Sequence, residues 1–279
     1  MMRELLISSL EKIRENTYRG PVKRAIVALG MESMLKTLYS VLLSTASNEE
    51  YILHEVAGSK ASFRISTGME VQRFRQLMDE KTIVESVVSD LSEDDIFYDV
   101  GANVGLYTCF AAQKSNITVA FEPHPKNAER LRENIAFNHL TNVKVREEAL
   151  SDTEGTAKLA VTGTSVAGEG THALATGSER KTVDICVAIA DNLPQDVPAP
   201  DVVKIDVEGA EMSVLRGMKE TLSSCRVVYC ETHAEKLSDR GESHEAVVNT
   251  FLDAGFSVEM IESRGEETFL RAENLTLCV

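Results

Sequence analysis

The feature that most constrains the fold is a glycine-containing turn between a short apolar run and a helical segment. The run Ile96–Val100 leads into the sequence Asp99-Val-Gly-Ala-Asn-Val-Gly105, and residues 105–113 then have a helical pattern. Gly101 lets the backbone come close to a ligand, and Gly105 lets the helix pack tightly on the strand. We therefore predict a strand–turn–helix unit that binds a ligand; a tight turn without a ligand is the alternative.

Two acidic residues indicate which ligand this turn would accept. Asp99 places a negative charge beside the turn, which suits an ammonium group and repels a pyrophosphate. Glu122 ends the next apolar run, where an acidic side chain accepts hydrogen bonds from ribose hydroxyls in nucleotide-binding sheets. A dinucleotide site would normally have the pattern G-x-G-x-x-G, whereas this chain has Gly101-Ala-Asn-Val-Gly105. These features favour a ligand that carries an amino acid over a dinucleotide.

The order of apolar runs and helical stretches predicts the fold class. Apolar runs at 96–100, 117–121, 143–150, 201–207 and 227–230 alternate with helical stretches at 105–113, 126–137 and 210–222. Such alternation is typical of crossover units and a parallel sheet, which is an α/β fold. A further helix at 244–254 and two last strands at 256–261 and 275–279 are predicted after it.

The domain organisation expected is an accessory region followed by a catalytic domain. Residues 1–92 contain amphipathic helical patterns and a candidate β-hairpin around residues 57–60, and residues 93–279 form the main domain. An insertion at about 153–200 is rich in glycine, threonine and serine, and a loop of that length is usually functional or disordered. The accessory region is expected to pack on the domain or form a homodimer, and membrane association is disfavoured.

Two further motifs follow predicted strands and should lie beside the same crevice. In Ala149-Leu-Ser-Asp152, a base could rest against Leu150 while Ser151 or Asp152 meets its amino group; a turn or helix cap is the alternative. In Cys230-Glu-Thr-His233, either Glu231 or His233 could face the crevice. A histidine there suits a general base, since its ordinary pKa lies near neutrality.

The sequence Val203-Lys-Ile-Asp-Val-Glu-Gly-Ala-Glu211 carries the candidate catalytic carboxylates. Alternation along a strand would point Asp206 and Glu208 to one face, at the carboxyl end where ligands bind in parallel sheets. Like charges in contact raise the pKa of at least one carboxyl group, which makes it usable as a base. A metal site using Asp206, Glu208 or Glu211 is an alternative, but no histidine pattern supports it, so we expect no metal.

Charge and cysteine usage exclude several classes of protein. The net charge is −15, from 44 acidic and 29 basic residues, and no basic stripe for nucleic acid is visible. This acidity fits a halophilic source or an ordinary acidic enzyme. The five cysteines are scattered and never spaced Cys-x-x-Cys, which disfavours disulfides and zinc and favours the reducing cytoplasm. The apolar stretch at 25–43 is interrupted by Glu32 and Lys36, so it is not a membrane span.

Together and in this order, the motifs D-V-G-A-N-V-G, F-E-P-H-P, A-L-S-D, K-I-D-V-E-G-A-E and C-E-T-H resemble the FkbM family of S-adenosylmethionine-dependent methyltransferases. The resemblance covers about residues 95–234. It implies a Rossmann-like class I methyltransferase fold: a mostly parallel seven-stranded sheet with a final antiparallel strand and helices on both faces. The reaction it implies is O-methylation of a sugar or natural-product hydroxyl.

The resemblance also implies roles for individual residues. Asp99, Gly101, Asn103 and Gly105 would hold the methionine moiety of the cofactor, Glu122 its ribose, and Leu150, Ser151 and Asp152 its adenine. Asp206 and Glu208 would border the methyl group and a small-molecule or glycan acceptor, with His233 as a further candidate base. Three alternatives stay open: carboxyl methylation of a uronic acid, a nicotinamide oxidoreductase, and a non-catalytic protein that binds the cofactor.

Overall fold

The computed structural model describes residues 51–65, 80–161 and 181–277. These residues belong to two compact units, and the unit that contains the main sheet comprises residues 54–61 and everything from Glu80 onward. The helices predicted within residues 1–50 and the centre of the insertion, 162–180, lie outside the described residues. No helix in the described ranges is long and apolar enough to cross a membrane.

The described ranges contain twelve strands and seven α-helices, numbered in chain order. The strands are β1 (Tyr51–Val56), β2 (Ser59–Arg64), β3 (Ile96–Val100), β4 (Ile117–Phe121), β5 (Val143–Arg146), β6 (Glu148–Leu150), β7 (Gly155–Ala160), β8 (Thr182–Ala188), β9 (Val202–Ile205), β10 (Val227–His233), β11 (Phe256–Arg264) and β12 (Glu267–Asn274). The helices are α1 (Lys81–Ser89), α2 (Leu106–Ala111), α3 (Pro125–Phe137), α4 (Glu211–Arg216), α5 (Lys219–Ser224), α6 (Ala234–Asp239) and α7 (His244–Asp253).

The main sheet has seven strands in the order β11-β12-β10-β9-β3-β4-β5. Strands β5, β4, β3, β9 and β10 pair in parallel, whereas β12 runs antiparallel to both β10 and β11. The predicted mostly parallel seven-stranded sheet with an antiparallel strand near its end is therefore confirmed. The strand order reverses between β3 and β9, and this is where open α/β sheets bind ligands.

Helices cover both faces of this sheet, as the alternation of side chains along β4 illustrates. Val119 and Phe121 belong to the large core cluster that also contains Leu215 of α4 and Phe251 of α7. Ala120, which points the opposite way, packs with Leu131 of α3. Pro125 begins α3, a position where its missing N–H leaves no hydrogen bond unmade.

Two strand boundaries differ from the sequence-based expectation. The predicted third strand divides at Glu147, because β5 joins the main sheet while β6 pairs with β8 in a separate three-stranded sheet. That second sheet, completed by β7, is built largely from the predicted insertion. The last strand predicted at 275–279 is wrong over residues 275–277, since β12 ends at Asn274 and Leu275 and Leu277 are exposed; residues 278–279 lie outside the described residues.

The hairpin of β1 and β2 has a shorter turn than the sequence pattern indicated. Ala57 and Gly58 alone connect the strands, with φ values of 48° and 78°. Two successive residues with positive φ form the mirror-image turn that matches the twist of antiparallel strands.

Candidate active site

The loop from β3 to α2 has a backbone that only glycine allows at two positions. Gly101 has φ of 82°, and a Cβ atom there would lie 1.9 Å from the carbonyl oxygen of Asp206. Gly105 has φ of 92°, and its Cβ would lie 2.4 Å from a methyl group of Leu131. Asn103 between them also has positive φ, 51°. The first glycine thus brings the β3 and β9 loops together, and the second seats α2 against α3.

Glu122 lies at the carboxyl end of β4 and joins the two neighbouring loops. Its Oε2 accepts a hydrogen bond from the backbone N–H of Asn103 at 2.8 Å, and its Oε1 accepts one from the N–H of His124 at 2.8 Å. Burial raises the pKa of Glu122 to about 7, although these two hydrogen bonds oppose the rise. The side chain is therefore held rigidly at the position where a ribose is expected.

A cleft that is open to solvent lies at the carboxyl ends of the parallel strands. Four of the residues predicted to bind the cofactor line this cleft: Gly101, Asn103, Glu122 and Leu150. The candidate catalytic residues Asp206 and Glu208 line it as well. Other residues line the cleft as well, among them Asn127, Glu148 and Leu159, which no sequence motif marks.

Asp99 lies behind the glycine turn and is fully buried. Thr108 donates a hydrogen bond to its Oδ2 at 2.6 Å, and Nζ of Lys204 lies 3.5 Å from its Oδ1. Lys204 also donates to the carbonyl oxygen of Gly101 and lies 3.3 Å from Oδ2 of Asp206. Burial lowers the pKa of Lys204, but Asp206 and Asp99 more than offset this and raise it. This buried lysine, for which no role was predicted, joins both aspartates.

Ser151 and Asp152, predicted to contact adenine, are not among the residues that line the cleft. The Ser151 N–H donates to the carbonyl oxygen of Ala188 at 2.9 Å, and the Ser151 carbonyl lies against Gly217, where a Cβ atom would come within 1.9 Å. Asp152 lies 3.9 Å from Arg216. The contact of both residues with the cofactor stays a prediction.

The three candidate catalytic residues meet at one edge of the cleft. Nε2 of His233 lies 3.3 Å from Oε2 of Glu208 and 3.9 Å from Oδ1 of Asp206. Strand alternation does not bring the carboxylates together, since β9 already ends at Ile205. Instead, both lie on the following loop, where Glu208 has a left-handed backbone with φ of 55°. A non-glycine residue held in this region is strained, and such strain is frequent at functional sites.

His233 is oriented from behind by Glu211 of α4. Its Nδ1 lies 2.8 Å from Oε1 of Glu211, which also accepts the N–H of Gly209 at 2.9 Å. Burial lowers the pKa of His233, but the hydrogen bond to Glu211 and the charges of Asp206 and Glu208 outweigh it and raise the pKa. Since a carboxylate accepts hydrogen bonds, Nδ1 donates, and Nε2 is left to face Asp206 and Glu208.

Further acidic residues surround this edge of the cleft. Burial, together with the charges of Asp206 and Glu80, raises the pKa of Glu231 to about 10. Glu80 is partly buried, desolvation raises its pKa, and it accepts a hydrogen bond from the hydroxyl of Tyr107 at 2.9 Å. Lys236 forms an ion pair with Glu208. Glu80 precedes every motif and carries no signal in the sequence that would assign it to this site.

Comparison with known proteins identifies the family. A protein-family model described as Methyltransferase FkbM domain matches residues 99–258, which is more than half of the chain. The protein belongs to the FkbM methyltransferase family. This FkbM methyltransferase is 32% identical to the hexuronic acid methyltransferase AglP of Haloferax volcanii over 232 residues, 82% of this chain and 92% of the relative. It is 24% identical to Methyltransferase 1 of Beauveria bassiana over 48% of this chain and 62% of that protein.

Among solved structures, Methyltransferase FkbM from Methylobacillus flagellatus is similar with a TM-score of 0.47 and 15% identity, over 74% of this chain and 59% of that one. Family membership makes the protein an S-adenosylmethionine-dependent methyltransferase and decides against the nicotinamide oxidoreductase alternative.

The cleft fits S-adenosylmethionine. Oδ1 of Asn103 is buried without a hydrogen-bond partner among the described residues, and Asn103 lines the cleft. Gly101 also lines the cleft, and because it has no side chain a ligand can approach its backbone closely. Asn103 and Gly101 would hold the methionine moiety, Glu122 the ribose hydroxyls, and Leu150 the adenine.

Proposed function

We propose that this FkbM methyltransferase methylates an oxygen atom of a hexuronic acid in a glycan or a smaller sugar. The observation that carries the proposal is the convergence of Asp206, Glu208 and His233 at the edge of the cofactor cleft. The similarity to a hexuronic acid methyltransferase, over most of both chains, supports the choice of sugar.

The residues of this edge have simple tasks in such a reaction. When bound, S-adenosylmethionine supplies a methyl group that is already activated as a sulfonium. The protein therefore mainly has to align the acceptor oxygen with that methyl group. We assign this alignment to Asp206 and Glu208, which line the cleft. A hydroxyl acceptor must also lose its proton, to Glu208 or His233, whereas a carboxylate acceptor needs no base.

The test is methyl transfer from a deuterium-labelled donor to a matched pair of acceptors, a glucuronide and the corresponding neutral glucoside. We expect label on the glucuronide and much less on the glucoside, measured by mass spectrometry. Mild alkali releases a methyl ester and leaves a methyl ether, so the same product identifies the acceptor oxygen. Equal labelling of both sugars would contradict the proposed substrate class.

Location and partners are part of the same proposal. Cys109, Cys186, Cys225 and Cys230 are free, which supports a reducing cytoplasm. The net charge of −15 supports a partner other than nucleic acid. We propose that the region before residue 93 mediates packing or homodimerisation and does not anchor the chain to a membrane.

A further inference from the structure

Asp206, Glu208 and His233, called here the 206/208/233 cluster, have the spacing of a cation site. Their nearest ligand atoms all lie within 4.8 Å of one another. Two ligands at right angles around an ion, each about 2.1 Å from it, are separated by about 3.0 Å. The 3.3 Å between Nε2 of His233 and Oε2 of Glu208 is close to this value, and the 3.9 Å to Asp206 needs only a small side-chain movement.

The histidine is prepared as a ligand independently of the two carboxylates. Only 5% of its side chain is exposed, and its Nδ1 is held by Glu211, which is fully buried on α4. Nε2 is thereby aimed into the cluster. Histidines that bind metals nearly always donate the N–H of their other nitrogen to a carboxylate or carbonyl in this way, which fixes the tautomer and the ring orientation.

The charge of the site is the third observation. Asp206 and Glu208 line the cleft, and Oε1 of Glu231 lies 3.9 Å from the same Nε2. Lys204 is shared between Asp99 and Asp206, and Lys236 pairs with Glu208. A hexuronic acid brings another negative charge at neutral pH, because carboxyl groups titrate near pH 4. Lys204 and Lys236 thus offset the charges of Asp206 and Glu208, and a divalent cation bound between these carboxylates would supply the excess positive charge that attracts the carboxylate of the acceptor.

We propose that the 206/208/233 cluster binds a divalent cation such as Mn²⁺, which holds the carboxylate of the acceptor at the edge of the cofactor cleft. The role of this cation toward the acceptor rests on the proposed function. Carboxylates suit Mg²⁺ and Mn²⁺, and imidazole favours transition metals, so Mn²⁺ satisfies the mixed ligand set. Three protein ligands leave up to three positions of an octahedron for acceptor oxygens and water.

The experiment titrates Mn²⁺ into the chelator-treated full-length protein, without methyl donor or acceptor, and follows the loss of the paramagnetic resonance signal of free Mn²⁺. We expect one ion per chain. Asp206→Asn and His233→Ala should weaken binding by more than the factor of about 10–100 that is typical for loss of an outer-shell partner. Binding of S-adenosylhomocysteine by each variant shows that the variant is folded. If His233→Ala does not fold, the Mn²⁺ affinity of Asp206→Asn alone tests the site, because the Asp206 side chain is partly exposed and its substitution disturbs the core less.

Glu267→Gln is the matched control, because Glu267 could complete a different cluster with Glu231 and His233. It should leave Mn²⁺ affinity unchanged. Absence of binding by the wild-type chain, or a loss with Glu267→Gln and none with Asp206→Asn, would overturn the site.

A glucuronide and a glucoside test the role of the ion. Bound Mn²⁺ should broaden the proton resonances next to the glucuronide carboxylate and leave the glucoside sharp. If Mn²⁺ binds but no hexuronate is methylated, the proposed function fails and the site stands. If hexuronate is methylated in the presence of chelator by a chain that binds no Mn²⁺, the site fails and the function stands.

Discussion

His233 and Glu211 form a buried hydrogen bond, with Nδ1 of the ring 2.8 Å from Oε1 of the carboxylate. The two residues come from different elements, the end of β10 and the first turn of α4. Their contact fixes the direction of the imidazole ring. It therefore decides that Nε2 faces Asp206 and Glu208 at the edge of the cleft.

We expect Glu211→Ala to lower kcat by about 10–100-fold, the usual effect of losing such an orienting partner. Affinity for S-adenosylhomocysteine should change little, because Glu211 is not among the residues that line the cleft. Glu211→Gln is the control. It keeps an oxygen that accepts from Nδ1 and Gly209, so its kcat should fall less. Equal losses in the two variants would indicate that charge, and not ring orientation, is what Glu211 supplies.

Glu122→Ala should weaken the binding of S-adenosylhomocysteine by about 1–3 kcal/mol, the range for hydrogen bonds to a charged group. The variant loses the acceptor for ribose hydroxyls and also the acceptor that holds the Asn103 and His124 N–H groups. Calorimetry measures the change, with NAD as the ligand expected not to bind. Glu129→Ala, at an exposed position of α3, should bind like the wild type. An unchanged affinity in Glu122→Ala would remove Glu122 from the cofactor site.

Stability should depend on pH through the same carboxyl group. The pKa of Glu122 is about 7 in the folded chain against 4.5 ordinarily, so the folded state binds this proton more tightly. The contribution to stability is therefore present below about pH 4.5 and is lost as the pH rises through 7. Relative to the wild type, Glu122→Gln should gain up to about 3 kcal/mol in free energy of unfolding between these limits. Urea unfolding at pH 4.5 and pH 8 measures this difference in free energy of unfolding between the variant and the wild type. If the stability of Glu122→Gln relative to the wild type falls as the pH rises, the raised pKa of Glu122 is contradicted.

Gly101→Ala should destabilise the chain by about 2–5 kcal/mol, because left-handed strain adds to overlap with the carbonyl of Asp206. Gly241→Ala separates the two effects. Gly241 has φ of 73° but open space around it, so only the strain of about 1–2 kcal/mol should appear. Both are measured by urea unfolding. Equal destabilisation would show that the β3 loop moves aside without cost.

Asp90 ties the end of α1 to the antiparallel side of the main sheet. It accepts hydrogen bonds from the hydroxyl of Tyr229 at 2.6 Å and from Nε of Arg271 at 2.8 Å. We expect Asp90→Ala to lower the free energy of unfolding by about 1–3 kcal/mol, since both donors lose a charged partner. Asp94→Ala, at an exposed position nearby, should change it by less than about 0.5 kcal/mol. A similar loss in both variants would assign the effect to the loop and not to these bonds.

The sequence alone determined the local units of this protein. The run Ile96–Val100 with its glycine turn, the run 117–121 ending at Glu122, and the intervening helical patterns specify strand–turn–helix units through residues close together in the chain. Hydrophobic periodicity and the φ requirement of glycine are local properties, so they can be read without a structure. The order of the motifs then indicated the family, which the comparison confirmed.

Only the tertiary structure decided which side chains meet. Glu211 could be seen in the sequence, but its contact with His233 depends on how α4 packs beside the end of β10. Lys204 joins Asp99 to Asp206 because β3 and β9 are neighbours in the sheet. Likewise, Asp206 and Glu208 share the site through a left-handed loop and not through strand alternation. These contacts are set by strand order, register and loop conformation, and those arise from packing the whole core, which no short stretch of sequence encodes.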